Sequence, residues 1–310
     1  MSGKKEGKII DVEREPRFSI ITPSYNSSQW LPLCIASVAD QDSVKVEHII
    51  QDSCSTDGTE NVLKNKAHLK IHVEKDGGMY DAVNRGFDRA SGDILAYLNC
   101  DEQYLPGALK SVRDCFTKNP EIDVVLSDTV VTDPHGNYIC HRYSLVPRKN
   151  QIWVRFPVLT CSCFIRRRVV KDFGVRFNTR WRDLGDFFWI QEMVKRRLRF
   201  KVLRRFTSVF TDTGQNMNLK PNALRERCTK WEMAPAWVKM MKHPFAVLYR
   251  LRLAKRGFLS QRPFHYSIFT LENSRERLQC HAAKPTSFWK GRSRRQITVK
   301  QSLEGSFGGS

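Results

Sequence analysis

Short apolar runs and amphipathic stripes alternate along the first 130 residues of the chain. The runs at 18–21, 44–50 and 94–98 are rich in aliphatic and aromatic residues, which favours buried strands. Between them, apolar residues recur every three or four positions, as on one face of a helix. The clearest stripe consists of Met79, Ala82, Val83, Gly86, Phe87 and Ala90. Strands that alternate with helices predict a mostly parallel sheet with helices on both faces.

The pattern changes after a further apolar run at 124–126. Turn-forming residues at 133–137 separate two β-prone runs, so residues 128–143 are expected to form a hairpin. A helix is expected to begin at Gly185, and residues 200–203 have the pattern of a strand. The chain is therefore predicted to be an α/β protein whose mostly parallel sheet becomes mixed and is flanked by helices.

Positive charge is concentrated in the last third of the chain. The formal net charge is +20, and residues 220–310 carry 19 Lys and Arg against five Asp and Glu. A basic segment of this kind can bind anionic lipid headgroups or nucleic acid, or it can be a solvated extension without a fixed partner. No nucleic-acid-binding motif is recognised and the charge is segregated from the α/β part, so no nucleic-acid partner is expected.

These changes in pattern divide the chain into segments. The predicted organisation is a flexible N-terminus at 1–16, an α/β domain at 17–216 with halves 17–130 and 131–216, a basic helical region at 217–285 and a disordered tail at 286–310. Neither a signal-peptide core nor the ~18 uncharged apolar residues of a membrane span are found. The nine cysteines are odd in number and scattered, which favours reduced thiols. We therefore expect a cytoplasmic protein, or one that is peripheral on a membrane face.

Acidic residues follow two of the predicted strands. Asp52 comes after the run that ends at Ile50, and Asp101 and Glu102 come after the run that ends at Leu98. Ligands of open α/β sheets bind beyond the carboxyl ends of the strands, so these carboxylates should reach one crevice. There they could hold a divalent metal that bridges diphosphate oxygens, or Asp101 and Glu102 could form an ordinary solvated turn. Neither G-x-x-x-x-G-K-[ST] nor G-x-G-x-x-G occurs, so a diphosphate would rely on metal and side chains.

Four segments, in this order, resemble the inverting family 2 glycosyltransferases of the GT-A fold. They are FSIITPSYNSSQWLPLCIASV, HIIQDSCSTDGT, EKDGGMYDAVNRGFDRASGDILAYLNCDEQY and TRWRDLGDFFWIQEMVKR. The resemblance implies an enzyme that moves a sugar from a nucleotide diphosphate, a UDP-sugar by default, to an acceptor hydroxyl. It also implies a divalent cofactor, Mn²⁺ or Mg²⁺. Residues 17–130 would be the nucleotide-binding half and residues 131–216 the acceptor-binding half.

The resemblance assigns roles residue by residue. The positions that match the nucleotide- and donor-binding residues of the family are Thr22, Pro23, Tyr25, Asp52, Asp57, Asp81, Arg85 and Asn99. Asp101 matches the aspartate that holds the metal, and Glu102 stands where a second aspartate is more usual. Asp186 matches the catalytic base that deprotonates the acceptor hydroxyl, and Asp183 is the rival for this role.

Alternatives remain open for several of these residues. Asp81 and Arg85 could be a surface ion pair one helical turn apart, and Asp186 could be an acid favoured by a helix N-terminus. Residues 160–164 lack a histidine that relatives often carry near the acceptor. Together with Glu102, this departure leaves a catalytically inactive nucleotide-sugar-binding or scaffold protein as the alternative function.

The basic region bears on the acceptor. An amphipathic helix with aromatic anchors would lie on an anionic bilayer, which suits an enzyme whose acceptor is a lipid-linked sugar, as in related bacterial enzymes. By the same resemblance, the acceptor is a glycan or glycolipid of the cell surface. The enzyme is then expected in the cytoplasm or on the cytoplasmic face of the inner membrane. The alternative is a helical subdomain that covers the catalytic domain, with its Lys and Arg solvated.

Overall fold

A mixed sheet of nine strands runs through the computed structural model, which describes residues 15–214 and 221–289. Its strands are β1 (Phe18–Ser24), β2 (Val46–Asp52), β3 (Leu69–Val73), β4 (Ile94–Tyr97), β5 (Glu102–Tyr104), β6 (Val124–Thr132), β7 (Tyr138–Arg142), β8 (Cys163–Arg166) and β9 (Phe200–Thr211). A second sheet pairs β10 (Phe264–Ile268) with β11 (Leu278–Ala282). The helices are α1 (Leu31–Ala39), α2 (Thr59–Leu63), α3 (Met79–Arg89), α4 (Ala108–Thr117), α5 (Gln151–Val154), α6 (Arg167–Lys171), α7 (Gly185–Lys195), α8 (Pro221–Glu232), α9 (Ala236–Met240) and α10 (Lys242–Ala254).

The large sheet is parallel in its first half and mixed in its second. The strand order is β3–β2–β1–β4–β8–β6–β9–β5, with β7 beside β6. Strand β1 lies between β2 and β4 and is parallel to both, whereas β8 is antiparallel to β4 and β6. Strands β6 and β7 pair antiparallel, with Thr129 opposite Arg142. The predicted α/β fold, and the hairpin predicted over 128–143, are therefore confirmed.

Helices cover both faces of the sheet because side chains alternate along each strand. In β1, Ile21 joins a buried cluster with Phe87 of α3, while Ile20 joins a second cluster with Leu109 of α4. Helix α3 approaches so closely that a Cβ atom on Gly86 would lie 2.4 Å from the side chain of Ile21. The amphipathic stripe predicted for this helix therefore places its smallest residue at the point of closest contact.

The C-terminal region departs from the predicted helical character. Helices α8 to α10 end at Ala254, and β10 and β11 then form an antiparallel hairpin, so the helical region predicted over 217–285 is wrong beyond this point. In the hairpin, Tyr266 packs in a cluster with Val209 of β9, and its hydroxyl donates to the carbonyl oxygen of Gly136 over 2.8 Å. Apolar and polar residues alternate in β10, which is a local strand signal, and these contacts with distant parts of the chain fix where the hairpin packs.

Three predicted segments lie partly outside the described residues. The structure does not describe residues 1–14, 215–220 and 290–310, which include most of the predicted N-terminal segment, the predicted domain boundary after residue 216 and most of the predicted tail. In the described part of that tail, Trp289 Nε1 donates to Asp212 Oδ2 over 2.9 Å. Among the described residues, none of the helices has the length and apolar character that a bilayer crossing requires.

Glu47 is a buried carboxylate that ties the parallel strands together. It is 3% exposed and accepts hydrogen bonds from the hydroxyl of Ser19 in β1, the N–H groups of Ser91 and Gly92 before β4, and Lys70 Nζ in β3. Burial acts to raise the pKa of Glu47, but these bonds outweigh it and lower the pKa from 4.5 to about 2. The carboxylate of β2 therefore stabilises the parallel half only while it is ionised.

We predict that Glu47→Gln lowers the free energy of unfolding by about 2–3 kcal/mol at neutral pH, because an amide cannot accept all of these bonds. A depressed pKa means that the unfolded chain binds the proton more tightly. The stabilisation in the wild type is therefore present above pH 4.5 and is lost as the pH falls through the folded pKa of about 2. Urea unfolding at several pH values measures both effects. The control is Glu60→Gln on α2, an exposed glutamate; an equal loss in both variants would contradict the role of Glu47.

Candidate functional site

The carboxyl ends of β1, β2 and β4 meet at one edge of the sheet. Ser24 at the end of β1 lies opposite Asp52 at the end of β2, and Asp101 follows β4. Cys100 joins these ends, because its thiol donates to the carbonyl oxygen of Pro23 over 3.3 Å. Burial, and beyond it the carboxylates of Asp101 and Asp52, raise the pKa of this thiol to about 12. The structure therefore brings Asp52 and Asp101 to one crevice.

Asp52 organises the loop that borders this edge. It is 3% exposed and accepts the N–H and the hydroxyl of Ser55 at 2.9 and 2.7 Å. The Ser55 hydroxyl oxygen accepts the N–H of Asn26 at 2.8 Å, and Asn26 Oδ1 accepts the N–H of Thr56 at 2.9 Å. These bonds fasten the segment after β1 to the segment after β2 and leave Tyr25 65% exposed. An exposed ring at this rim is able to stack on a planar group.

Thr22 and Asp57, both predicted to bind the donor, are hydrogen-bonded to other residues of the chain, Thr22 in the interior and Asp57 at the surface. Thr22 is fully buried, and its hydroxyl oxygen lies 2.8 Å from Nε2 of His48. Asp57 accepts the N–H of Ser28 at 2.9 Å and the N–H and hydroxyl of Thr59 at 3.1 and 2.5 Å. Burial acts to raise the pKa of Asp57, but the bonds from Thr59 and Ser28 lower it to about 2. These contacts favour a supporting place for both side chains beside the loop.

Asp81 and Arg85 form an ion pair at the start of α3. Arg85 Nη2 lies 2.9 Å from Asp81 Oδ2, and Arg85 Nη1 lies 3.3 Å from Glu74 Oε1. Asp81 Oδ2 also accepts the N–H of Gly77 at 2.9 Å. The Glu74 N–H donates to the carbonyl oxygen of Asp52 over 3.0 Å, so this loop borders the same edge. The pair is thus a helix-surface ion pair, and it also lies beside the crevice.

A tight turn after β4 carries the predicted metal ligands. The N–H of Asn99 donates to Glu102 Oε2 over 2.8 Å, and the N–H of Glu102 donates to the carbonyl oxygen of Asn99 over 3.0 Å. Glu102 is 2% exposed, whereas Asp101 is partly exposed. Burial raises the pKa of both carboxyl groups, and the neighbouring Asp101 raises that of Glu102 further. Asp101 is therefore the carboxylate at the edge, and Glu102 is turned towards the interior.

This turn fits a divalent ion that is held by one or two carboxylates. Within the part of the chain that the structure describes, no group of three or more His, Cys, Asp and Glu side chains could hold a metal by itself. Mg²⁺ and similar ions commonly bind one or two carboxylates and complete their shell with substrate phosphates and water. A nearby cation would also stabilise the ionised form of two carboxyl groups whose pKa is raised. Asp101, with Glu102 behind it, meets these requirements.

Asp186 lies in the first turn of α7, against α3. Its N–H donates to the hydroxyl oxygen of Tyr80 over 3.2 Å. The preceding Gly185 packs on the same ring so closely that a Cβ atom would lie 2.4 Å from Tyr80 Cε2. Asp186 is partly exposed, and burial of its carboxyl raises the pKa to about 6, with Lys230 acting in the opposite direction. A carboxylate with this pKa suits a general base near neutral pH.

Helix α8 supplies residues that sequence analysis did not assign to the site. Glu226 accepts N–H groups of the segment before Asp186, and the charge of Lys230 acts on Asp186 itself. The rival base Asp183 is bound to the same helix, because its Oδ2 accepts from Asn222 Nδ2 over 2.6 Å. Asp186 is thus the better placed of the two carboxylates. The sequence signal for Glu226 is an isolated acid between two arginines, and the fold is needed to show what it contacts.

Tyr97 connects the two parts of the site. It lies in β4 and is 1% exposed. Burial first, and then Tyr80, Asp186 and Glu102, raise the pKa of its phenol. Asp186 and Glu102 therefore both lie within electrostatic range of one ring.

The fold and this crevice define an α/β protein of the GT-A class. The chain is similar to the solved structure of S. aureus TarS 1-349 in complex with UDP-GlcNAc, with a TM-score of 0.56 and 19% identity over 79% of this chain and 74% of that one. It is also similar to the mannosyltransferase PcManGT from Pyrobaculum calidifontis in complex with GDP-Man and Mn²⁺, with a TM-score of 0.50 and 16% identity over 78% of this chain and 81% of that one. At these identities the likeness establishes the fold.

Sequence comparison supplies the family. The model of glycosyl transferase family 2 matches residues 19–174. A PGL/p-HBAD biosynthesis glycosyltransferase of Mycobacterium tuberculosis is 30% identical over 178 residues, which cover 56% of this chain and 67% of that protein. The chain belongs to glycosyltransferase family 2 and is a glycosyltransferase. The expected membership of glycosyltransferase family 2 is therefore confirmed, and the segment that carries Asp186 lies beyond the residues that the family model matches.

We predict that Gly185→Ala destabilises the protein by about 1–3 kcal/mol, although alanine is favoured over glycine in a helix by about 1 kcal/mol. The added methyl group would overlap the ring of Tyr80, which is buried and stacked on Phe177 with 4.8 Å between the ring centroids. Thermal unfolding measures the effect. The control is Gly77→Ala, whose Cβ atom would meet Asp81 at an ordinary 3.6 Å. A Gly185→Ala variant as stable as the wild type would contradict this close packing.

Proposed function

We propose that the chain transfers a sugar from a nucleotide-diphosphate sugar to an acceptor hydroxyl, with inversion at the anomeric carbon. The observation that carries the proposal is the pair of acidic positions in the fold: Asp101 follows β4 at the carboxyl edge of the parallel strands, and Asp186 lies in the first turn of α7, where its N–H donates to Tyr80 of α3. The donor is a UDP-sugar, and the acceptor is a glycan or a lipid-linked sugar in the synthesis of cell-surface polysaccharide or glycolipid. Support comes from the UDP-GlcNAc and GDP-Man bound to the two structural neighbours and from the biosynthetic role in the name of the mycobacterial relative.

The donor would lie along the carboxyl edge of the parallel strands. Tyr25 presents an exposed ring to the base, and each Asp52 oxygen has a second lone pair that can accept from a base N–H. Pro23 would line the bottom of the donor site, where its carbonyl oxygen accepts a hydrogen bond from the Cys100 thiol. The guanidinium of Arg85, now shared by two carboxylates, suits phosphate oxygens of the donor.

The diphosphate would lie next to Asp101. A divalent ion, Mn²⁺ or Mg²⁺, would be held by Asp101 together with Glu102, and when bound it would neutralise charge on the departing diphosphate. The Mn²⁺ in the PcManGT complex supports this assignment. The contribution of the chain itself is the fixed turn in which Asn99 and Glu102 bond to each other and hold Asp101 at the edge.

On the acceptor side, Asp186 would remove the proton from the attacking hydroxyl. Its pKa of about 6 makes it a stronger base than an ordinary aspartate and still leaves it ionised at neutral pH. The acceptor oxygen would form its bond to the anomeric carbon as the bond to the diphosphate breaks, and the proton would remain on Asp186. A single displacement of this kind inverts the configuration and requires no protein nucleophile.

The alternative of a catalytically inactive binding protein is not favoured. Asp52, Asp101 and Asp186 are all present: Asp52 ends β2, Asp101 follows β4, and Asp186 lies in the first turn of α7. The absence of a histidine at 160–164 also has a structural explanation, because Cys161 and Ser162, just before β8, are fully buried. This segment therefore contributes to packing in this chain, and its departure from relatives does not remove the base or the donor edge.

We propose further that α9 and α10 form a surface for an anionic bilayer, which would place the enzyme at the cytoplasmic face of a membrane. The large apolar side chains exposed on these helices and their connection are Trp237, Met240, Met241, Val247, Leu248 and Leu251. Basic residues are interleaved with them, among them Lys239, Lys242 and Arg250. Apolar anchors within a basic surface are typical of interfacial helices. A lipid-linked acceptor would reach the enzyme from such a surface.

We predict that Asp186→Asn keeps donor binding but lowers the rate of transfer at least about 100-fold, because asparagine cannot take the proton.

Asp101→Ala should instead weaken donor binding in the presence of Mn²⁺. In the wild type, kcat should fall as the pH drops below about 6, where Asp186 becomes protonated. Transfer from a panel of nucleotide sugars, with calorimetry of donor binding, measures all three effects.

The control for both variants is Asp172→Asn, an exposed aspartate after α6, which should leave transfer and binding unchanged. Substantial transfer by Asp186→Asn would move the base to Asp183. Unchanged donor affinity in Asp101→Ala would contradict the metal role.

For the membrane surface, we predict that Met240→Glu combined with Leu251→Glu weakens binding to phosphatidylglycerol vesicles by about tenfold or more. The two side chains are 82% and 56% exposed, and a charge at either position opposes burial in lipid. Vesicle sedimentation at about 0.15 M salt measures binding. The control is Leu278→Glu on β11, an exposed leucine outside this surface. Equal vesicle binding by the double variant and the wild type would remove the proposed surface.

A further inference from the structure

The segment that leads into α7 has no local cap. Leu184 stands at the N-cap position, and no side chain caps the helix from there. The first N–H groups of a helix lack partners within it and must be satisfied elsewhere. Within the first turn, the N–H of Asp186 donates to the Tyr80 hydroxyl and the N–H of Phe187 donates to Asp186 Oδ1. The segment just before the helix is held instead by Glu226 of α8, whose Oε1 accepts the N–H of Arg182 at 2.8 Å and whose Oε2 accepts those of Asp183 and Leu184 at 3.0 and 2.8 Å. One carboxylate therefore holds three successive residues just before Asp186.

Glu226 is itself held in place. It is 8% exposed, and its Oε1 accepts from Asn222 Nδ2 over 3.0 Å. Asn222 lies one turn earlier on α8, and the same amide group donates to Asp183 Oδ2 over 2.6 Å. Helix α8 thus bonds both the backbone and a side chain of the lead-in segment. A buried carboxylate with this many donors is a rigid anchor.

Lys230, one turn further along α8, brings a positive charge to the same place. Its Nζ lies 4.8 Å from the centroid of the Phe187 ring and 3.5 Å from the carbonyl oxygen of Trp153. Burial is the main cause that lowers the pKa of Lys230, and Asp186 acts in the opposite direction. Phe187 directly follows Asp186, and its N–H donates to Asp186 Oδ1 over 2.7 Å, so the ammonium group lies against the residue that holds this carboxylate.

Asp186 lies between two helices that both carry titratable groups. From α3, Tyr80 accepts the N–H of Asp186. From α8, Glu226 and Lys230 act on its carboxyl with opposite signs, and Asp183 lies in its own segment. The two α8 residues differ in effect as well as in charge. Glu226 acts mainly through hydrogen bonds to the backbone, and Lys230 acts through space.

We propose that α8 is a working part of the catalytic site, in which Glu226 is the positioning residue that fixes Asp186 towards the acceptor and Lys230 stabilises the ionised base. The inference rests on the proposed role of Asp186. It assigns α8 a function in the proton-transfer step that is separate from any contact of the basic region with a membrane. It also explains why Glu226, unlike Glu232 of the same helix, is buried on the side that faces α7.

The decisive experiment compares pH profiles of kcat for the full-length enzyme. Glu226→Gln removes a negative charge that raises the pKa of Asp186, so its acidic limb should move to lower pH. Lys230→Met removes a positive charge that lowers the same pKa, so its limb should move to higher pH. A general loss of structure cannot produce shifts in opposite directions. The matched controls are Glu232→Gln, exposed at the end of α8, and Lys171→Met, exposed at the end of α6.

The amplitude of kcat tests the positioning role separately. Glu226→Ala removes every acceptor for the three N–H groups, and we expect kcat to fall by about 100-fold while KM for the donor changes less than about twofold. Glu226→Gln retains one acceptor oxygen and should recover part of this loss. Amide hydrogen exchange of residues 182–184 should accelerate in both variants, which shows that the anchor was broken even if Glu226→Ala is too unstable for kinetics.

Two outcomes would overturn the role of α8. The first is unshifted or equally shifted acidic limbs in Glu226→Gln and Lys230→Met. The second is a kcat of Glu226→Gln within about twofold of the wild type together with unchanged amide exchange at 182–184. Failure of the proposed function looks different, because the wild-type enzyme would then transfer no sugar from any nucleotide sugar tested.

Discussion

The parallel pairing of β1 with β2 and β4 is the constraint on which the rest of the structure depends. Because these neighbours run in the same direction, the residues that follow each strand arrive at the same edge. Asp52 and Asp101 meet around Cys100 for this reason alone. Glu47 holds the same strands together from within, and the close approach of α3 brings Tyr80 to the start of α7.

The features that could be predicted from sequence are those with a local signal. Strand β1, helix α3 and the hairpin of β6 and β7 each have a periodicity or a turn that identifies them, and the acids at strand ends follow from strand direction. The orientation of Thr22 could also be predicted, because side chains alternate along β1. Thr22 therefore lies on the same face as Ile20, where Cys34 of α1 packs.

The remaining features depend on contacts between distant segments. The position of the β10–β11 hairpin depends on the packing of Tyr266 against Val130 and Val209 of the large sheet, which the sequences of these two strands do not reveal. Glu226 lies in a helix that is rich in basic residues. Its role depends on the hydrogen bonds that it accepts from three N–H groups more than 40 positions earlier in the chain. Periodicity describes which face of a helix is apolar, but it does not name the partner of a buried polar group.

Part of the positive charge of the C-terminal region stabilises the fold itself. Arg256, 8% exposed at its side chain, pairs with buried Asp128 at 2.7 Å, and Arg277 binds Asp40 at 2.5 Å. A buried arginine needs such a partner, because an uncompensated charge in the interior is costly. The region therefore belongs to the catalytic unit. It also carries the exposed apolar and basic surface of α9 and α10.

The contacts of Glu226 affect the order in which the parts of the enzyme can fold during synthesis. All of β1 to β4 and the helices between them lie in the first 100 residues or so, so this part of the chain leaves the ribosome well before α8. The lead-in to α7 then waits, with three amide groups lacking their acceptor, until α8 has been synthesised. With the role proposed for α8, catalytic competence is acquired late, from a helix that lies beyond the segment matched by the family model.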